Sequence, residues 1–375
     1  MKRCLLCHSS ELYFPTNKEK LMSVTSDCKP WDRRVTVFMC KKCGHIQKDT
    51  STVWSQDVEK IYADYAMYPL SMGNEQLKFG DSGQGDFRSS VLLDKLFNYI
   101  YIHNSGKILD IGCGNGSLLD QFHIRRPMWQ LSGHEQGGRE DALIPLMKGK
   151  TLYTGELADI DEKFDIVVLL HVLEHVTDPV QFLKTVKKML SSDGYLVVQC
   201  PNFQESPFDL TVYDHCSSYT RDSLKLAAKK SGFSITSTTE GWIAKEIGFI
   251  AAAVDREDSN VDYEVNLQSL DDALDWLSKF LEKLKRKAYG NCTGIFGTAV
   301  AGTWLARSLG EGISFFAEED ALQHGNTHLG LPILSPQNVP YGATVLMGFI
   351  PVIAKGIVDR LKKDRPDINF VLADV

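Results

Sequence analysis

No apolar run in this sequence reaches the roughly 18 residues needed to cross a bilayer, so no membrane span is expected. The opening Met1-Lys2-Arg3-Cys4 is not followed by the apolar stretch of about 7 to 15 residues that marks a secretory leader, and the chain is expected to stay in the cytoplasm. An excess of positive charge is also missing. Lys and Arg total 41 against 48 Asp and Glu, a formal net charge of −7. A general attraction for nucleic acid therefore has no driving force, although a local basic patch would be compatible with this balance. Fixed-period repeats and low-complexity tracts are absent, which excludes solenoid and disordered-tail readings. A disulfide framework is not expected either, because in a reducing compartment paired cysteine spacings suggest a metal.

At 375 residues the chain exceeds the usual size of one core, so two or three domains are expected. Residues 1–80 form the first, with a polar interval between two cysteine pairs and a Tyr- and Gly-rich link from Tyr62 to Gly85. Residues 81–254 form the second. An amphipathic helix at Ser89–Ile100 precedes short apolar runs that alternate with helical patterns: from Lys107, from Gln130, and at Phe164–Leu170, Gly194–Gln199, Ser234–Thr238 and Ile247–Val254. That alternation implies an α/β fold with a doubly wound, mainly parallel sheet. Residues 255–375 form the third. A charged connector at Asp255–Asp262 and a long helix near Leu267–Ala288 lead to a smaller α/β unit, with strands expected from Thr293, at Ile313–Ala317, Thr344–Phe349 and Ile368–Leu372.

Cys4-Leu5-Leu6-Cys7 and Cys40-Lys41-Lys42-Cys43-Gly44 are two C-x2-C pairs. Each pair lets one tight turn offer two thiolates to the same ion, and together they complete a tetrahedral zinc shell. Cys4, Cys7, Cys40 and Cys43 are the expected Zn2+ ligands, with Cys28 and His45 as spare candidates. A closed four-sulfur shell leaves no position for water, so the metal's role is expected to be structural.

Ile108-Leu109-Asp110-Ile111-Gly112-Cys113-Gly114-Asn115-Gly116-Ser117-Leu118-Leu119 joins an apolar strand to a helix through glycines at alternate positions. Glycines there allow a tight turn and close approach of a ligand to backbone. A dinucleotide site would show G-x-G-x-x-G instead. The G-x-G-x-G spacing behind Asp110 resembles motif I of class I methyltransferases. The resemblance implies S-adenosyl-L-methionine as cofactor, whose cationic sulfonium and ammonium groups suit a nearby carboxylate. Glu135, about twenty residues on, is the expected ribose ligand. Glu156 and Leu157 stand where that family frames the adenine. His171-Val172-Leu173-Glu174-His175 resembles the segment after the family's fourth strand. His171 and Glu174 are expected to line the cofactor pocket or cap a helix, while the two histidines at i and i+4 could alternatively hold a metal.

Further on come Pro201-Asn202-Phe203 and Tyr213-Asp214-His215-Cys216-Ser217-Ser218-Tyr219, then Gly297-Thr-Ala-Val-Ala-Gly302-Thr303 and His324-Gly325 through Gly330-Leu-Pro332 to Ser335-Pro336. With these motifs nearly the whole chain resembles the nucleotide-sugar C-methyltransferases. The resemblance implies a zinc-binding N-terminal domain, a class I methyltransferase domain and a C-terminal Rossmann-like domain that helps hold a nucleotide-linked keto-deoxysugar. In that family an acidic–His pair supplies the catalytic base, and Asp214–His215 matches it, with Asp for the more usual Glu. Methylating carbon requires loss of a proton next to a carbonyl, which an imidazole with an ordinary pKa near 6.5 takes at neutral pH. Asp214 would orient the ring, and Tyr213 and Tyr219 are the candidate donors to the developing oxyanion. Two departures stand out: Val212 replaces the family's Tyr three positions before the His, and Ala317-Glu318-Glu319-Asp320-Ala321 replaces its acidic-Arg-Asn-Pro segment. The same cofactor site would equally serve an O- or N-methyltransferase, a zinc-ribbon RNA methyltransferase (disfavoured by the acidic balance) or a non-catalytic cofactor-binding scaffold.

Overall fold

The apolar run Phe164–Leu170 has the composition of a strand buried on both faces, and in the computed structural model it is the fourth of seven strands in the largest sheet. The structure describes residues 2–15, 21–65, 75, 77–79, 85–136, 144, 147–253, 265–288 and 292–373. The expected connector at residues 255–262 and most of the Tyr- and Gly-rich link lie outside the described residues.

The N-terminal part contains β1 (Leu12–Tyr13), β2 (Leu21–Val24), β3 (Pro30–Val35), β4 (Val37–Cys40) and β5 (Ile46–Lys48). β2 and β3 pair as an antiparallel hairpin. A helix at Thr52–Ala63 follows, its first turn satisfied by the Ser51 hydroxyl accepting from Trp54 N. β6 (Leu77–Phe79) and β7 (Gly85–Phe87) form a short ladder.

β8 (Lys107–Ile111), β9 (Gln130–His134), β10 (Thr151–Tyr153), β11 (Phe164–Leu170) and β12 (Leu190–Pro201) are mutually parallel in the order β10-β9-β8-β11-β12. β13 (Ser217–Ser218) leaves this sheet, pairs antiparallel with β5, and completes a four-stranded sheet in the order β1-β4-β5-β13. β14 (Ser234–Thr238) and β15 (Glu246–Ala252) close the seven-stranded sheet, with β15 antiparallel between β12 and β14. Successive residues of a strand point to opposite faces. Val167 and Leu169 accordingly join one apolar cluster with Leu196 and Val198, while Ile166 and Val168 join another with Ile108 and Val197. Helices at Pro179–Met189 and Arg221–Lys230 cover the first face, and those at Arg88–Tyr99 and Ser117–Arg125 the second.

The C-terminal part opens with the Gln268–Lys285 helix and continues through β16 (Thr293–Phe296), β17 (Phe315–Ala317), β18 (Thr327–His328), β19 (Leu331–Leu334), β20 (Thr344–Met347) and β21 (Asn369–Val371), in the sheet order β18-β19-β17-β16-β20-β21. All neighbours are parallel except β18 with β19. This part is not packed apart from the others. Val24, Val37 and Met39, Phe203 and Phe208, the inward face of the Gln268–Lys285 helix, and Trp304 and Phe316 share one apolar cluster. Trp304 Nε1 also donates to Met22 O across that junction (3.1 Å). The short strands β1–β5, β10, β18 and β19 have no apolar period long enough to be read from sequence, because their pairing comes from partners distant in the chain.

Candidate functional site

A cavity of about 330 Å3 runs from the glycine turn after β8, past His171, His175 and His215, to the glycine turn after β16. At its first end Gly112, Gly114 and Gly116 all sit in the left-handed region, with φ of 72°, 51° and 78°. A side chain at Gly112 would place its Cβ 2.6 Å from Val172 Cγ2, so the turn admits backbone only. Glu135 follows β9 and accepts from Gly114 N at 2.8 Å, which holds its carboxylate over the turn. Asp110 is buried at the tip of β8. Burial, reinforced by the charges of Glu135 and Glu75, pushes its carboxyl well above the usual range. A cation placed beside these carboxylates would offset that cost. Asp110, Gly112, Cys113, Asn115, Ser117, Glu75 and Arg88 line this end of the cavity. Glu156, by contrast, is exposed and Leu157 is packed in the core, and neither is among the cavity-lining residues.

The segment after β11 is a short 3-10 turn, Leu173–His175, rather than an α-helix face. His171, with φ of 58°, turns its Nε2 to Glu246 Oε1 (3.0 Å), so the i and i+4 histidines do not share a ligand position. Glu174 is buried one layer behind the cavity wall.

His215 lines the middle of the cavity, and its oriented partner differs from the sequence expectation. Its Nδ1 lies 2.6 Å from Asp209 Oδ1, on the 3-10 turn Pro207–Thr211, and Asp209 Oδ2 accepts from Ser218 Oγ at 2.6 Å. Asp214, expected to orient the ring, instead accepts from Ser26 N (2.9 Å) and stands 3.5 Å from His175 Nδ1. Asp214 lies on a turn and its carboxylate is taken up by Ser26, so it does not hydrogen-bond the His215 ring. Burial disfavours the charged His215 ring, but the Asp209 carboxylate and its hydrogen bond outweigh this and raise its pKa above the ordinary value. Asp209 is held below the usual carboxylate range: burial opposes this, and His215 and Lys48 overcome it.

Neither expected oxyanion donor faces the cavity. Tyr213 donates its hydroxyl to Asp57 Oδ2 (3.0 Å) in the N-terminal part, and Tyr219 is buried with its hydroxyl 3.4 Å from Leu173 O. Tyr65 does line the cavity, at the end of the stretch that follows the Thr52–Ala63 helix. The loop that carries His215 is held from outside the seven-stranded sheet. Lys48 Nζ donates to His215 O (2.6 Å), Lys48 N to Cys216 O (2.9 Å) and Trp54 Nε1 to Tyr213 O (3.0 Å). His45 Nε2 meets Ser217 Oγ at 3.1 Å.

At the far end, Gly297 has φ of 98°, and a Cβ at Gly302 would lie 1.9 Å from Gly297 O, so the turn and the Val300–Leu309 helix approach each other through glycine alone. Thr298 donates to Gln323 Oε1 (2.7 Å), and Glu318 lines the wall at the tip of β17. Burial raises the Glu318 carboxyl, against the pull of backbone N–H groups of Glu319, Asp320 and Thr298. The His324–Gly330 motif is bracing: His324 Nε2 meets Glu318 O and His328 Nε2 meets Thr303 Oγ1, each at 2.8 Å.

Cys4, Cys7, Cys40 and Cys43 bring their four Sγ atoms within 4.8 Å of one another. Leu6 N and Cys7 N point at Cys4 Sγ, and Lys42 N at Cys40 Sγ, each at 3.4 Å, an arrangement that stabilises thiolates. The two spare candidates stand elsewhere, Cys28 on the cavity wall and His45 against Ser217.

Residues 87–238 match the family model described as a methyltransferase domain. Among curated proteins, the chain is 32% identical over 134 residues to the ubiquinone biosynthesis O-methyltransferase of Haemophilus ducreyi, covering 32% of this chain and 57% of that one. It is 35% identical over 102 residues to the protein of the same name from Bartonella quintana, covering 26% and 41%. The chain thus spans about half the length of the curated relatives it matches. Among solved structures it is similar to a riboflavin-derivative dimethyltransferase, RosA, from Streptomyces davawensis (17% identity, TM-score 0.37, 42% of this chain and 52% of that one). It is also similar to a chain of the Haloferax volcanii complex between the Trm112 methyltransferase activator and a methyltransferase (10% identity, TM-score 0.39, 46% and 92%). The seven-stranded sheet has the class I methyltransferase fold, and the middle of the chain is an S-adenosylmethionine-dependent methyltransferase domain.

Proposed function

We propose that this protein methylates a carbon of a nucleotide-linked keto-deoxysugar, with His215 as general base. The observation that carries the reading is one continuous cavity that joins the glycine turn behind Asp110, the Asp209–His215 pair and the glycine turn of the C-terminal sheet. The first turn suits the cofactor. Its φ values and the Val172 contact leave room for backbone only, and Glu135 and Asp110 offer carboxylates to ribose hydroxyls and to a cation. Bound there, S-adenosylmethionine supplies an electrophilic methyl group. The far turn, with an uncapped helix start at Ala299 and an acidic residue at the tip of the next strand, suits the nucleotide part of the acceptor.

His215 acts at Nε2. Asp209 accepts from Nδ1–H, which fixes the tautomer and leaves the Nε2 lone pair toward the cavity. The proton leaves the acceptor carbon next to its carbonyl, passes to Nε2, and the resulting imidazolium is stabilised by the Asp209 carboxylate. The freed electron pair forms the new carbon–carbon bond. Tyr65 on the cavity wall is the hydroxyl offered for the oxyanion role that Tyr213 and Tyr219 do not fill, since the Ser26 hydroxyl donates to Asp214 Oδ2 (2.5 Å). The test is direct: purified protein, S-adenosylmethionine and a dTDP-linked keto-deoxysugar should give S-adenosylhomocysteine and a product methylated on carbon by NMR. Transfer to a hydroxyl would favour the second reading, O-methylation, which the names of the curated relatives support and for which the same dyad would deprotonate oxygen. Transfer only to RNA would sink both.

Because the base must be neutral to act, the rate should rise with pH through the His215 pKa, which Asp209 holds above the ordinary value. Asp209→Asn removes that support, so the rising limb of the pH–kcat profile should move to lower pH while kcat on the plateau falls about tenfold or more. An unmoved limb would reject His215 as the titrating group.

The same proposal gives the four cysteines one structural Zn2+, a closed shell with no catalytic position, and divides the chain at 1–80, 81–254 and 255–375. Cys40→Ser should lower zinc content from about one per chain toward zero, and with it the melting temperature. Retention of stoichiometric zinc would contradict the ligand set.

A further inference from the structure

Glu174 is set apart among the described buried carboxylates because both of its oxygens are without a hydrogen bond. Its side chain is only 1% exposed, yet neither carboxylate oxygen receives a hydrogen bond. His171 Nδ1 stands 3.3 Å from Oε1, an ion-pair distance without hydrogen-bond geometry. His171 meets the carboxylate's charge in part but leaves its lone pairs without a donor, and buried oxygens in that condition are costly and suit a ligand.

Two imidazoles complete the setting. Ligand atoms of Glu174, His175 and His215 lie within 4.8 Å of one another. The rings of His175 and His215 meet edge to face with centroids 4.6 Å apart. Each ring has its Nδ1 already engaged. His215 Nδ1 is held by Asp209, and His175 Nδ1 by Tyr62 Oη (2.9 Å) and by Asp214 O (3.2 Å). A carboxylate or carbonyl on Nδ1 fixes the tautomer whose Nε2 carries a lone pair, which is the arrangement that surrounds metal-binding histidines. Both rings line the cavity, so an ion has a route in and a position left open to solvent or acceptor.

We propose that Glu174, His175 and His215 form a second metal site, distinct from the cysteine cluster, that takes one divalent transition cation such as Zn2+, Co2+ or Ni2+. Two imidazoles and one carboxylate favour these ions over Mg2+ and Ca2+, which prefer all-oxygen shells. Ligand atoms on one such ion stand about 3 to 4 Å apart, given metal–ligand bonds of about 2.0 to 2.2 Å, so the cluster needs only small side-chain movements to close. The consequence for catalysis rests on the reading of His215 as the base. An ion that takes the Nε2 lone pair removes the base, so occupancy and methyl transfer exclude each other, and the ion is an inhibitor.

The experiment uses the full chain with zinc retained in the cysteine cluster, titrated with Co2+ and followed by absorption and by turnover. The expected result is one further Co2+ per chain, with weak ligand-field bands and no sulfur charge-transfer band, and turnover that falls in step and returns on adding a chelator. Glu174→Gln and His175→Asn, each checked for fold by circular dichroism, should weaken Co2+ binding at least about tenfold. Sulfur charge-transfer bands alone, no saturable signal, or unchanged binding in both variants would overturn the site. Saturable binding lost in the variants but without loss of turnover would support the site and remove His215 as the base.

Discussion

His215→Ala should lower kcat by about 10² to 10⁴, the usual contribution of a positioned base, while the affinity for S-adenosylhomocysteine stays within about twofold. The split follows from position. His215 sits in the middle of the cavity, whereas the glycine turn and Asp110 lie at its other end, with the Glu135 carboxylate held on Gly114 N. His215 is also buried, so truncation opens space that water can fill, and the variant should be compared by melting temperature before its kinetics are read. Loss of less than tenfold in kcat would mean that another group takes the proton. The Asp209→Asn profile then separates two explanations, because it moves the pH limb only if the imidazole is the group that titrates.

Gly112→Val should abolish measurable cofactor binding in calorimetry. Valine must adopt a φ of 72°, in a region that β-branched residues avoid, and its Cβ would lie 2.6 Å from Val172 Cγ2. Strain of about 1 to 3 kcal/mol together with the clash is relieved by displacing the turn, and a displaced turn no longer presents its backbone to the cofactor. Gly342→Ala is the control: its φ is 70°, but nothing lies within 4 Å of the added Cβ, so the strain falls outside the cofactor turn and binding should be kept. Binding by Gly112→Val at the level of the unaltered protein would mean that this turn does not hold the cofactor.

Features carried by local spacing were legible in the sequence. The paired cysteines come together as expected because each pair is a single turn, and the glycine turn behind Asp110 falls at the end of an apolar strand whose period is plain. The long strands and helices from Arg88 to Ala252 appear close to where their apolar patterns put them. What failed was partner choice. Asp214 was the acidic residue next to His215, but its carboxylate is taken up by Ser26, and the partner comes from Asp209 on a 3-10 turn six positions earlier. A carboxylate at that distance before a histidine has no pattern of its own. Tyr213 failed as an oxyanion donor for a different reason: its hydroxyl is claimed by Asp57, a residue more than 150 positions away. Lys48, whose ammonium holds the main chain at His215, could not be found from sequence at all, since a lone lysine in a polar interval looks like any solvated surface charge.

The two-residue strand Ser217–Ser218 has a practical meaning for anyone who would cut this protein down. The stretch that sequence similarity marks off, residues 87–238, carries His215 but not the edge on which the following residues hang. Excised, that stretch would keep the parallel strands β8–β12 and the glycine turn, lose β15 and with it the pairing of β14, and lose the grip of Lys48, His45 and Trp54, leaving His215 on an unanchored ribbon. The smallest unit able to turn over is therefore larger than the smallest unit able to be recognised. Grafting the middle segment onto another scaffold would carry over the glycine turn without the anchorage of the His215 loop.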